Sequence, residues 1–156
     1  MTISFRDFCL SRTEPPAAGV AEYLRKLRPD VFVHFSGDKL GWMRAQVNVG
    51  AGLPALVIER FLVEEADMRH QLNSWVAWLE TVEHPRRESI IDRVVNAQQV
   101  FTLELPAELA ARQELCDFAK TICQHFAQVA DGIYQIDDLG FFSAEGLLLV
   151  PESRIV

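Results

Sequence analysis

The chain has 156 residues, 49% of them hydrophobic and 24% charged, enough apolar material for one core without metal or disulfide staples. Its formal net charge of −7 repels phosphate backbones and argues against nucleic acid as a partner. The apolar stretches are too short to span a bilayer, and Met1 to Asp7 lacks the basic-then-apolar pattern of a secretory leader.

Cys9, Cys116 and Cys123 make an odd set with no CxxC spacing, as expected of reduced thiols in a cytoplasmic protein. The pattern carries no repeat and no long linker. One domain over residues 1–156 is the expectation.

Residues 3–10 read as a first strand. Thr13-Glu14-Pro15-Pro16 opens a helix, because proline is tolerated in a first helical turn. Val20, Leu24 and Leu27 then recur at the spacing of a buried helical face. Arg25-Lys26-Leu27-Arg28, the densest basic cluster, suits the negative end of that helix, and Pro29-Asp30 closes it. Residues 31–35 and 42–49 read as strands joined by a turn at 36–41. Gly50-Ala51-Gly52-Leu53-Pro54 is a loop, and residues 55–62 form another strand.

A helix over residues 64–83 follows, with Glu64, Glu65 and Asp67 near its positive end and Met68, Leu72, Trp75, Leu79 and Val82 on one stripe. His84-Pro85 breaks it. A second helix over 86–97 turns Ile90, Ile91, Val94 and Val95 inward. Residues 98–105 return to strand character. One long helix over 107–130 carries Leu115, Phe118, Ala119, Ile122, Cys123 and Phe126, and Asp131-Gly132 ends it. Residues 133–150 read as a β-meander. The order is roughly β-α-β-β-β-α-α-β-α and then the meander. It predicts an α+β fold: a mixed, largely antiparallel sheet of about five to seven strands, with three to four helices mainly on one face.

Few residues suggest chemistry. Gly50 and Gly52 lack the third glycine and following helix of a nucleotide loop. His34, His70, His84 and His125 show no metal-ligand spacing, so neither metal nor cofactor is expected. Cys116 and Cys123 lie seven apart among aromatic neighbours and read as core. Asp131, Asp137 and Asp138, with Glu145, crowd the meander. Such carboxylates serve as turn and cap residues, or converge as a polar cluster able to hold a cation or move a proton.

The 64–83 helix is the most distinctive segment. Trp78 lies about 60° round from Trp75, beside Gln71 and Ser74, at the edge of the buried stripe. A tryptophan so placed first of all covers the edge of the core, and it also suits an interface anchor. Arg69, Asn73 and Glu80 fall on the opposite flank, within reach of Glu59 and Arg60 of a neighbouring strand. Trp78, Gln71, Arg69 and Glu80 thus form the candidate interaction surface. The expectation is a protein-interaction or regulatory module whose partner is another protein, such as a neutralised toxin, or a second copy of itself. The alternative is a small-molecule-binding protein or enzyme built from carboxylates and His/Arg at strand ends.

Overall fold

Strand alternation divides the side chains between two cores. In the strand Ile3–Cys9 (β1), Phe5 and Cys9 enter one apolar cluster and Phe8 enters the other. In the strand Gln99–Leu105 (β5), Phe101, Leu103 and Leu105 join the first cluster and Val100 the second. Residues apolar on both sides need cover on both sides.

The molecule is described from a computed structural model covering residues 1–65 and 67–152. After β1 come α1 (Ala17–Leu27), β2 (Phe32–Asp38), β3 (Gly41–Asn48), β4 (Leu56–Leu62), α2 (Met68–Glu80) and α3 (Arg87–Val95). After β5 come α4 (Ala107–Ala110), α5 (Gln113–Val129), β6 (Gly132–Ile136), β7 (Gly140–Phe142) and β8 (Leu148–Pro151). The eight strands form one sheet in the order β2-β3-β4-β5-β1-β6-β7-β8, and every neighbouring pair is antiparallel.

The α+β class holds, with two corrections. There are eight strands and five helices among the described residues, more than expected. The helices also do not gather on one face. Val20 and Leu24 of α1, Leu109 of α4 and the Leu115–Ala127 stripe of α5 fill the first cluster. Met68, Leu72 and Leu79 of α2 with Ile90 and Val94 of α3 fill the second, on the other side of the sheet. No helix among the described residues is long and apolar enough to cross a membrane.

The expected long helix over 107–130 is interrupted. Arg112 is extended (φ −108°, ψ 117°) between α4 and α5. In one unbroken helix Leu109 and Leu115 would point about 120° apart. The interruption lets both be buried. Helix α2 starts later than expected because Asp67 is left-handed (φ 70°), while the Glu65 carboxylate accepts the Leu62 N–H at 2.9 Å.

The connection from β1 to α1 is pinned from the sheet. Arg60, almost wholly buried, donates through Nε to Gln99 Oε1 at 2.8 Å. Gln99 Nε2 in turn donates to the carbonyls of Ser11 (2.7 Å) and Thr13 (2.8 Å), and Trp42 Nε1 donates to Pro15 O at 2.7 Å.

Candidate functional site

Helix α2 carries the residues that the sequence singles out, and packing divides them. Arg69 and Glu80 share one side of the helix, about 20° apart in projection; Gln71 and Trp78 share the other. Arg69 Nη1 donates to the Val95 carbonyl at the end of α3 (3.1 Å), and Arg87 of α3 donates to the Glu80 carbonyl (3.3 Å). Arg69 is thus tied to the end of α3, while Arg69 and Glu80 both stay exposed. Glu59 and Arg60, adjacent in one strand, point to opposite sides of the sheet, and Arg60 lies on the side away from α2. It bonds Gln99 and the carbonyls of Leu40 and Trp42.

On the other flank both tryptophans are half-buried. Trp78 stacks on Phe141 at 6.1 Å, while Trp75 meets Phe141 edge-on at 5.6 Å and Phe8 at 6.4 Å. The Arg6 guanidinium sits 5.1 Å from the Trp75 ring and bonds Gln135 Oε1 (2.7 Å) and Asp137 Oδ1 (2.8 Å). Gln71 is exposed beside them in sequence register.

The carboxylates of the meander do not converge. Asp131 precedes β6 and Asp137 follows it, so the strand holds them roughly 20 Å apart. Asp131 (φ 54°) pairs with Arg93 at 3.0 Å. Asp138 (φ 67°) shapes the β6–β7 turn, where its N–H donates to Glu152 Oε2 at 3.1 Å. Among the described residues no group of three or more His, Cys, Asp or Glu is arranged to hold a metal ion. Asp131 does share a cleft of about 480 Å³ with Glu145, Ser89, Gln128 and Ser143, but the cleft's cation, Arg93, already holds Asp131.

Part of one sheet face carries no helix. Helices α2 and α3 cover the second side of the sheet over Phe8, Val100, Ile133, Phe141 and Val150, with Phe61 of β4 packed at the margin. Toward the β2 edge two transverse rows, polar except for Val57, reach the surface, with Ser36, Arg44, His34, Gln46 and Glu104 exposed and the rest half-buried. One row runs Ser36, Arg44, Glu59, Thr102 and ends at Arg6, each residue directly opposite the next. The second runs His34, Gln46, Val57, Glu104, Ser4 by the same registers. Phe32 opposite Asn48 begins a third, and the residue is 66% exposed. The signal was in the sequence: His34, Ser36, Arg44, Gln46 and Glu59 alternate with apolar residues, as on a half-solvated antiparallel sheet.

One buried group also stands out. Asp7 is fully buried under α5, and neither carboxyl oxygen finds a hydrogen-bond partner among the described residues. Burial pushes its carboxyl well above the ordinary range, the Cys123 thiol pulling weakly the other way. Burial likewise raises the thiols of Cys9 and Cys123, with the Asp7 charge adding to it. Such neutral, enclosed thiols are poor nucleophiles. Comparison with protein families, with curated proteins and with solved structures found no match.

Proposed function

We propose that this chain is a protein-interaction module that offers the uncovered half of its sheet to a partner protein. The observation that supports this reading is the pair of open polar rows across β2, β3, β4 and β5, left bare beside a helix layer that covers the rest of the same face. Four strands at about 4.8 Å spacing and five residues at about 3.3 Å rise give roughly 300 Å². That suits the centre of an interface; a standard one takes about 800 Å² from each partner. The exposed ring of Phe32 supplies apolar area at one margin, and the half-buried Trp78 belongs to the aromatic cluster beside Arg6.

The partner's chemistry follows from charge. The chain carries a net −7, and Glu59 and Glu104 stand in the two rows. Arg44 and Arg6 stand in the same row as Glu59, so the face alternates in sign, and a protein surface with the opposite alternation is complementary, which sets on-rate and partner choice.

The test is affinity capture from the source cells with the wild-type chain and with the double variant Glu59→Arg, Glu104→Arg. A protein retained by the wild type and lost from the variant is the expected result. Identical capture by both, or no specific capture by either, rejects the reading.

A further inference from the structure

Beyond that face, β2 is an edge, and its unused backbone points to a second copy of this chain. Every second residue of an edge strand aims its N–H and C=O away from the sheet, which invites another strand. Proteins blunt such edges with charges, proline, short strands or bulges. The two edges of this sheet differ in these devices. Strand β8 has four residues and ends in Pro151, which has no N–H to offer. Strand β2 has seven, Phe32-Val33-His34-Phe35-Ser36-Gly37-Asp38, with no lysine, arginine or proline and its one carboxylate at the far end.

A bulge at Ser36/Gly37 ends the regular stretch, leaving Phe32 to Ser36 straight and pairable. Val33 and Phe35 face the first core and stay only half-buried, because no strand lies beyond them.

We propose that two copies pair antiparallel through β2 about a two-fold axis at His34. Antiparallel partners place opposed side chains on the same face, so a two-fold normal to the sheet must pass midway between two copies of one residue. His34 is the centre of the pairable stretch. An axis there sets Val33 of each copy against Phe35 of the other, covering both half-buried side chains, and sets Phe32 against Ser36. His34 alone meets its own copy, and the stretch Phe32 to Ser36 holds no carboxylate, lysine or arginine. The same axis keeps both open faces on one side, so two patches join into one of roughly 600 Å². The dimer rests on the β2 edge alone and survives if the partner reading fails. Two five-residue strands make a small contact, so the association belongs to the weak, concentration-dependent class.

Sedimentation velocity on the full chain, from about 10 µM to about 1 mM, tests this. The wild type is expected to move toward twice the monomer mass. His34→Glu and His34→Lys each put like charges face to face and should weaken association at least about tenfold. An equimolar mixture of the two should restore it to the wild-type level. Because His34 is exposed, both variants should melt as the wild type does, and restoration by mixing is not open to an unfolded chain. A wild type that stays monomeric to about 1 mM, a dimer indifferent to both substitutions, or a mixture no better than either variant overturns the proposal.

Discussion

Asp7 is where one side chain works against the fold that holds it. Its neighbours in space are Cys9, Cys123, Tyr134 and Phe101, none of which neutralises a carboxylate. Tyr134 shares the environment: burial pushes its phenol up to about 12, against the Gln124 amide that donates to its oxygen at 3.1 Å. In the folded chain Asp7 keeps a proton that the unfolded chain loses above about pH 4. Unfolding then releases a proton, so stability falls as pH rises from that value until the folded carboxyl itself ionises. Asp7→Asn cannot ionise and removes this fall. The variant should gain on the wild type as pH rises from about 4 toward 7, because only the wild type loses stability over that range. Urea unfolding at several pH values reads this directly, and parallel pH profiles for the two chains would contradict it. Nothing in the one-dimensional pattern marks Asp7, because a polar residue between Phe5 and Cys9 looks the same whether its side of the strand is wet or covered.

At the scale of elements, α2 shows what helical periodicity could and could not tell. The stripe Met68, Leu72, Leu79 is buried, as its spacing requires. The two tryptophans are less separable than the helical wheel suggests, since both lie half-buried against Phe141. Trp75 also meets Phe8, Trp78 and the Arg6 guanidinium, so it ties α2 to β1 and β7 together. Trp75→Ala should therefore cost about 2–4 kcal/mol and Trp78→Ala measurably less, both read by chemical denaturation. An equal or reversed order would show that the aromatic cluster is held elsewhere. The flank through Arg69 and Glu80 is exposed, but Arg69 is tied to the end of α3 rather than to Glu59 and Arg60. Nothing local says that α3 folds back beside α2, where the two flanking residues meet its ends. The meander carboxylates fail as a cluster because β6 is an extended rod between them, a separation visible once Ile133 to Ile136 is assigned as strand.

For the whole molecule, strand identity was largely legible and strand order was not. Alternation finds β2, β3 and β4, and it also marks their polar side. The pairing of β1 with both β5 and β6 joins residues far apart in the chain, so no short window reveals that β1 is central. That placement decides the rest. Helices α2 and α3, entering between β4 and β5, settle over β1, β5, β6, β7 and β8 and reach Phe61 of β4, while the β2–β3 side of the same face stays bare. The first face is filled instead by α1, α4 and α5.

Hydrogen–deuterium exchange, on the chain alone and with the protein that the Glu59→Arg, Glu104→Arg double variant no longer captures, tests that bare half-face most directly. Slowed exchange over β3, β4 and β5, with α1 and α5 unchanged, is the expected result. Protection confined to α1 and α5, or to the cleft beside Arg93 and Glu145, would place the interaction elsewhere and contradict the assignment.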